Sequence, residues 1–110
     1  MSHLRNATAH LLTRLRQLDL PEPEPEWRFH GSRRWRLDLA WPAQMVAVEI
    51  HGGLYVQGRH NRAKGFELDR AKMNAAALAG WLVLEYSTGQ ILRDEWVEDL
   101  RAALRPTDRR

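Results

Sequence analysis

The chain has 110 residues, a length that suits one small domain with a modest hydrophobic core. It contains no cysteine, which excludes disulfides and thiolate chemistry, and it shows neither a signal-like apolar stretch near its start nor an apolar run of membrane-spanning length. The net charge is +3, and all but two of the 17 cationic residues are arginines, which bind phosphate through paired hydrogen bonds. We therefore expect a single intracellular domain over residues 1–110 that has an anionic partner and no membrane association.

The first third of the chain predicts a helix, an extended connector and a first strand. Leucines within residues 4–18 recur at the spacing of an amphipathic helix. The three prolines of residues 21–25 cannot continue that helix because they lack an amide hydrogen, so they predict an extended connector. Residues 26–30 then predict the first strand, and the turn over 31–33 ends it.

Two stretches of alternating polarity predict an antiparallel hairpin. In the stretch 34–41, one predicted face carries Trp35, Leu37, Leu39 and Trp41. The stretch 45–51 alternates in the same way, with two valines and an isoleucine on one face. A short turn containing Pro42 joins the two stretches, which favours hairpin pairing between them.

Asp38 and Glu49 lie on this predicted hairpin. If Trp41 lies opposite Gln44, the two acids are diagonal neighbours on the less apolar face, roughly 7 Å apart between backbones. Two carboxylates at this distance can bind one divalent cation between them. Burying them without a cation or another partner would cost free energy. The alternative is that both are exposed strand residues paired with neighbouring arginines.

A glycine-rich segment and a long helix follow the hairpin. Residues 52–61 are polar and rich in glycine, so they predict a loop. Residues 62–79 predict a second helix that Gly80 ends as a C-cap. Its expected core contacts are Phe66, Met73, Ala77 and Leu78.

The last quarter of the chain predicts a strand and a helix. The apolar run 81–86 predicts a buried fourth strand. Thr88 is expected to cap a last helix that Pro106 ends, with residues 106–110 as a flexible tail. The element order is therefore αβββαβα, and the predicted fold class is α/β (α+β), with a central mixed sheet flanked by helices.

Two further residues are candidates for the group that activates water or supplies a cation. His51 shares the face of Glu49, and imidazole is the side chain that most often serves as a general base, so His51 can orient or deprotonate an attacking water. The alternative is a solvated histidine at a strand end. Lys72, on the second helix, either supplies a cation to a transition state or forms a surface ion pair with Asp69.

Basic residues flank the carboxylate pair in two runs and predict contacts with a DNA backbone. A tyrosine near the second run can stack on an unpaired base. The alternative is an ordinary solvated surface beside a flexible loop. The candidate DNA-binding residues are Arg28, Arg33, Arg34, Arg36, Tyr55, Arg59, His60, Arg62 and Lys64.

Together these residues resemble the PD-(D/E)XK nuclease superfamily. Its core is αβββαβ, with an Asp on the second strand and E-x-K on the third, and here those positions are Asp38 and Glu49-Ile50-His51. The similarity is greatest to the small phage-encoded members, which include Holliday junction resolvases, and it covers roughly residues 20–90. The segments that carry it are EWRFHGSRRWRLDLAWP, VAVEIHGG, GRHNRAKGFELDRAKMNAAALAGW and VLEYS.

The resemblance implies a restriction-endonuclease-like core and a metal-dependent endonuclease. Asp38, Glu49 and the backbone carbonyl of Ile50 would hold Mg²⁺ or Mn²⁺. Many members carry a further acid on the first helix, which is absent here, and Glu26 is a candidate to stand in for it. A second departure is that the E-x-K lysine is replaced by His51.

The resemblance also implies how such an enzyme would act. A homodimer would present two sites to branched double-stranded DNA and cut a four-way junction by paired symmetric nicks, in the cytoplasm of a bacterial host. Either His51 or Lys72 would replace the missing strand lysine. Two alternatives stay open: a repair or restriction-type nicking endonuclease of the same fold, and a non-catalytic DNA-binding module.

Overall fold

A computed structural model describes residues 3–52 and 59–105, with 59–62 described as backbone only. It confirms the predicted fold class, since a four-stranded mixed sheet is flanked by helices in an α+β arrangement. No helix in these ranges is long and apolar enough to cross a membrane. The elements in chain order are α1 (His3–Gln17), β1 (Glu24–Arg28), β2 (Arg36–Trp41), β3 (Val46–His51), α2 (Arg59–Leu78), β4 (Leu82–Ser87), α3 (Thr88–Leu92) and α4 (Val97–Leu104).

The strand order is β1-β2-β3-β4, so β1 and β4 form the two edges of the sheet. The first three strands are antiparallel, whereas β4 runs parallel to β3. Parallel neighbours need a long crossover connection, and α2 lies within that connection. The first strand begins two residues earlier than predicted, at Glu24, and includes Pro25. An edge strand tolerates proline because one side of its backbone has no ladder to complete.

Each face of the sheet has its own hydrophobic cluster. The face that we call the apolar face packs on α1, α3 and α4, and it contains Leu11, Leu39, Trp41, Val46, Val48, Ile50, Trp96 and Leu100. The opposite face, the α2 face, packs on α2 and contains Leu37, Ala40, Ala47, Ala76 and Trp81. Alternation along β3 separates the two clusters, since Val46 and Val48 belong to the first and Ala47 to the second.

The prediction that one face of residues 34–41 carries every tryptophan and leucine is wrong. Leu37 lies in the cluster of the α2 face, whereas Leu39 and Trp41 lie in that of the apolar face. Strict alternation would have kept all three together. The break falls at Asp38, where regular pairing between β2 and β3 has stopped.

The register predicted for the central hairpin is also wrong. Trp41 pairs with Val46, not with Gln44, because the turn spans four residues, 42–45. Met45 closes this turn in a left-handed conformation with a φ of 58°. The amides of Gln44 and Met45 donate to carbonyls within or beside the turn, each over 3.1 Å.

The second helix begins at Arg59, so the predicted loop is wrong for residues 59–61, and residues 53–58 lie outside the described ranges. Its predicted end is confirmed, because Gly80 follows it with a φ of 96°. The expected core contacts are wrong for three residues: Phe66 is 63% exposed, Leu78 is 89% exposed, and Ala77 is exposed. Met73 is half-buried, and within residues 63–78 of the helix the buried residue is Ala76.

The single last helix predicted from Thr88 is divided into α3 and α4. Its cap is Ser87, whose hydroxyl accepts the Gln90 amide while the Gln90 side chain accepts the Ser87 amide. Asp94 separates the two helices with a φ of 60°. The preceding strand, β4, is less buried than predicted. Pro106 and the predicted tail lie outside the described ranges.

Candidate active site

Asp38 and Glu49 come together where the pairing of β2 with β3 ends. The last pair is Leu39 with Val48, and continuing that register places the two acids opposite each other, not diagonally as predicted. A Glu49 carboxylate oxygen, Oε2, accepts the Asp38 amide over 2.7 Å. The Asp38 carboxylate accepts the Ile50 amide over 2.8 Å. The side chains thus replace the backbone ladder, and this exchange fixes the position of both carboxylates.

Lys72 of α2 is the cation of this site. Its ammonium group donates to the other carboxylate oxygen of Glu49, Oε1, over 2.8 Å. The pair is largely shielded from water, since the side chains of Lys72 and Glu49 are 16% and 5% exposed. The alternative ion pair with Asp69 is not formed, because Asp69 bonds to Arg70. Sequence alone left two roles open for Lys72, and the packing of α2 on the sheet places it beside the carboxylates.

The electrostatics of the site favour an additional positive charge. Burial raises the pKa of the Glu49 carboxyl above its usual value, and the nearby Asp38 charge raises it further. The Lys72 ammonium and the Asp38 amide oppose that rise. When both acids are ionised, two carboxylates face one ammonium, so the cluster keeps a net negative charge that a bound cation would neutralise.

His51 lies at the end of β3 and pairs with an acid that the sequence analysis missed. Its imidazole Nε2 is 3.0 Å from Glu85 Oε1, and both side chains are partly exposed. Glu85 belongs to β4, where it is the register partner of Glu49. Glu85 is the one acid in the apolar run 81–86, which offered a signal, but using it required knowing that β4 runs parallel beside β3. His51 is therefore an oriented imidazole beside the carboxylate pair.

The donor set fits a hard divalent cation with a small number of protein ligands. Carboxylate and carbonyl oxygens are the ligands that Mg²⁺ prefers, and Mg²⁺ often uses only one or two carboxylates while it keeps several waters. Within residues 3–52 and 63–105, no group of three or more acidic, histidine or cysteine side chains is arranged to hold a metal ion. Asp38 and Glu49 therefore fit a partly hydrated Mg²⁺ or Mn²⁺, whereas an all-protein cage is not formed among these residues.

Glu26, the other candidate ligand, lies near Asp38. It lines a cavity of about 100 Å³ together with Asp38 and the first turns of α1. Its side chain is 64% exposed and lies 3.9 Å from the Arg36 guanidinium. Glu26 is therefore near Asp38 but is not part of the hydrogen-bonded cluster. The ligand role predicted for the Ile50 carbonyl stays a prediction.

The predicted DNA-binding residues fall into two groups. The first surrounds the connection between β1 and β2, and its members Arg28, Arg33, Arg34 and Arg36 are all exposed. Lys64, in the second group, is exposed on α2. Tyr55 and the side chains of Arg59, His60 and Arg62 lie outside the described part of the chain.

Comparisons of the chain with protein-family models, with curated proteins and with solved structures give no match. The resemblance to PD-(D/E)XK nucleases stays a prediction, which rests on the sequence motif and the predicted order of the elements. A fold alone does not determine a function, so the function has to be argued from the chemistry of the site.

Proposed function

We propose that the protein is a metal-dependent DNA endonuclease of the PD-(D/E)XK kind. Asp38 and Glu49 would hold Mg²⁺ or Mn²⁺, and Lys72 would supply the cation that the superfamily places on the third strand. The observation that carries this proposal is the contact of the Lys72 ammonium with Glu49, on a carboxylate pair that is fixed by backbone hydrogen bonds. Acids in a protein that faces DNA repel phosphate unless a cation intervenes, which favours a metal role for the pair.

Each residue of the site would then have a separate task. Asp38 and Glu49 would hold the metal, which would supply a Lewis acid for a phosphoryl oxygen and for the attacking water. The Lys72 ammonium, held by Glu49, would stabilise negative charge that develops on the phosphate. The His51 imidazole, held by Glu85, would accept the proton of the attacking water. In this division Lys72 takes the role of the lysine that is missing from the third strand, and His51 takes the role of the general base.

The proposed substrate is branched double-stranded DNA, and the proposed reaction is resolution of a four-way junction in the cytoplasm of a host cell. Paired symmetric nicks call for two symmetric sites, so the active form would be a homodimer. Support comes from the resemblance and from the exposed arginines near Asp38. A nicking endonuclease for repair or restriction would use the same site on another DNA structure.

One observation favours a second candidate, a non-catalytic DNA-binding module. Lys72 already neutralises Glu49 without a metal, which allows the carboxylate to persist as a purely structural group. Such a module would bind DNA but would not cut it. Cleavage and binding therefore have to be measured separately.

The test compares cleavage of a labelled immobile four-way junction with cleavage of a linear duplex, at about 1 mM Mg²⁺ or Mn²⁺, a range suited to weakly held hard cations. We expect paired nicks on the junction. Asp38→Asn and Lys72→Met should be inactive but still bind the junction in a gel-shift assay. His51→Ala should cut more slowly and with an altered pH profile. Glu98→Gln, on the exposed surface of α4, is the control and should cut at the parental rate.

Each other outcome points to a specific correction. Equal cutting of both substrates would replace junction resolution with general or repair nicking. Unimpaired cutting by Asp38→Asn would contradict the metal site. Tight binding by the parent protein without cutting in either metal would make the binding module the better description. A monomer by light scattering would contradict symmetric resolution but not nuclease activity.

A further inference from the structure

The connection between β1 and β2, residues 29–35, carries an ordered stack of flat groups. The rings of Phe29 and Trp35 are stacked, with centroids 6.4 Å apart and an interplanar angle of 14°. The Arg33 guanidinium lies over the Trp35 ring, 4.5 Å from its centroid. His30 packs edge-on against Trp35, with 5.2 Å between the centroids. These contacts form a column from Phe29 through Trp35 to Arg33, which we call the 29–35 stack.

The stack is anchored at one end and open at the other. Phe29 packs against the hydrophobic cluster of the α2 face, so the column begins at the core. The His30 imidazole nitrogen Nδ1 accepts the amides of Ser32 and Arg33, over 3.2 Å and 3.0 Å. These bonds hold the backbone of the connection in one conformation. Arg33 is exposed, so its guanidinium ends the column at the surface.

The 29–35 stack stands at the same end of the sheet as the carboxylate pair. It joins the end of β1 to the start of β2, and Asp38 is the third residue of β2. Because β3 runs antiparallel to β2, its end, which carries Glu49, lies at this same end of the sheet. A strand of DNA held at the stack would therefore pass close to the proposed site of cleavage.

The charges around the stack suit a polyanion. No acid occurs between residues 27 and 37, whereas four arginines do. Arg36 lies near Glu26 at 3.9 Å. Among the acids of the described ranges, none forms an ion pair with Arg28, Arg33 or Arg34. Uncompensated arginines around an exposed planar group combine phosphate contacts with a stacking surface.

We propose that the 29–35 stack binds an unpaired DNA base on the outward face of the Arg33 guanidinium, and that it thereby selects DNA with unpaired bases next to the cut. The Arg33 guanidinium lies over the Trp35 ring and Arg33 is exposed, so a base can stack on its solvent side, as bases do on arginine planes and aromatic rings in single-strand recognition. A continuous duplex keeps its base faces covered by neighbouring base pairs, whereas branch points and bubbles expose them. This inference rests on the proposed function only in taking DNA as the partner.

The test is fluorescence anisotropy in EDTA, so that binding is read without cleavage. The probes are a labelled duplex with a short central run of unpaired thymines and a fully paired duplex of the same length. Arg33→Lys keeps the charge but removes the planar group. It should weaken binding to the bubbled probe on the order of tenfold, the scale of one lost base stack, and leave binding to the paired probe unchanged. Arg101→Lys, in α4 and paired with Glu98, is the matched control and should leave both affinities unchanged.

Three results would overturn the inference. The first is a parent protein that binds the two probes equally. The second is an Arg33→Lys variant with parental affinity for the bubbled probe. The third is an equal loss on both probes, because Arg33 would then be only a phosphate contact. Trp35→Leu gives an independent check, since it removes the ring beneath Arg33 and should reproduce the selective loss.

The fate of the nuclease proposal is separate from these results. Selective binding without cleavage in any metal would retain the stack and reject the nuclease. Cleavage by the parent together with unselective binding would retain the nuclease proposal and reject base binding at the stack.

Discussion

The two faces of the sheet bury different kinds of side chain. The apolar face covers large groups, including Trp41 and Trp96, and packs them against three helices. The α2 face covers fewer large groups, since its cluster adds three alanines to Leu37 and Trp81, and it also covers the Glu49 carboxylate. Glu49 is the one charged residue that is buried within the described ranges.

This difference shows how a small domain can hold charged groups. Burial of apolar area is the main source of folding free energy, and the apolar face supplies most of it. A buried ion pair adds little to stability, because the desolvation of both partners offsets their attraction. The α2 face can therefore keep Glu49 and Lys72 in place only because the opposite face stabilises the fold. The following substitutions test that division.

Trp96→Ala should give the largest effect, a loss of about 3–5 kcal/mol in the free energy of unfolding. Trp96 is fully buried, and its indole N–H donates to the Ile91 carbonyl over 3.0 Å, so the substitution leaves a cavity and removes one hydrogen bond to that carbonyl, which also accepts the Asp94 amide. Urea unfolding measures the change. Leu78→Ala, on the exposed side of α2, is the control and should change stability by less than about 0.5 kcal/mol. If both substitutions lowered the free energy of unfolding by the same amount, the claim that large side chains on the apolar face supply most of the stability would be wrong.

Lys72→Met should lower the free energy of unfolding by about 3 kcal/mol at pH 7, because it leaves a buried carboxylate beside Asp38 without its cation. The double variant Glu49→Gln/Lys72→Met should recover most of this loss, since it buries no unpaired charge. Urea unfolding of both variants tests the prediction. A double variant as unstable as Lys72→Met alone would show that the loss arises from packing, not from charge.

Local patterns in the sequence were sufficient to predict most elements of the fold. Alternation in 34–41 and 45–51 predicted β2 and β3, and Gly80 predicted the end of α2, because each signal depends on neighbouring residues alone. Errors arose where the backbone departs from those patterns. Met45 and Asp94 both adopt positive φ, which set the hairpin register and divided the last helix. Residues other than glycine rarely adopt this conformation, so residue type alone did not predict either change.

The candidate site was also predicted only where its contacts join the two strands of the hairpin, and not where they join elements distant along the chain. Asp38 and Glu49 were placed together from strand spacing, although the register was wrong. The contact of Lys72 with Glu49 spans 23 residues and depends on how α2 crosses the sheet. The pairing of Glu85 with His51 depends on β4 lying parallel to β3. Such tertiary relations are not visible in residue spacing along one chain.

Glu49→Gln should change how stability depends on pH. The pKa of Glu49 is raised above its ordinary value of 4.5 in the folded protein, chiefly by burial, so the folded state holds this proton more tightly than the unfolded state does. The stability that this proton contributes is fully present below pH 4.5 and is lost as pH rises through the folded pKa. The free energy of unfolding of Glu49→Gln minus that of the parent should therefore increase with pH in this window, by about 1.4 kcal/mol for each unit of pKa difference.

Urea unfolding at a series of pH values measures this difference. Leu78→Ala changes no titrating group, so its difference from the parent should stay constant across the same series. A difference that is flat or falling for Glu49→Gln would contradict the claim that the folded protein holds this carboxylate against a desolvation penalty.

Asp94→Asn should give the smallest effect, and its sign should be opposite. The Asp94 carboxylate joins the break between α3 and α4 to α1, by contacts with His10 at 2.8 Å and Arg14 at 3.2 Å. The hydrogen bond with His10 and the charge of Arg14 lower the pKa of Asp94 below its ordinary value of 3.8. The stabilisation is therefore present above pH 3.8 and is lost as pH falls through the folded pKa.

Asparagine suits this position because it tolerates the φ of 60°. Asp94 is partly exposed, so solvent screening should keep the loss below about 1 kcal/mol at pH 7. In urea unfolding, the stability of the parent minus that of Asp94→Asn should shrink on acidification, whereas the stability of the parent minus that of Glu49→Gln should grow. If the two variants show opposite trends with pH, the ionised Asp94 carboxylate stabilises the packing of the helices on the apolar face. The ionised Glu49 carboxylate, in contrast, lowers the stability of the fold. A buried carboxylate that lowers stability when it is ionised is the one that we expect to bind a cation, because the cation would neutralise its charge.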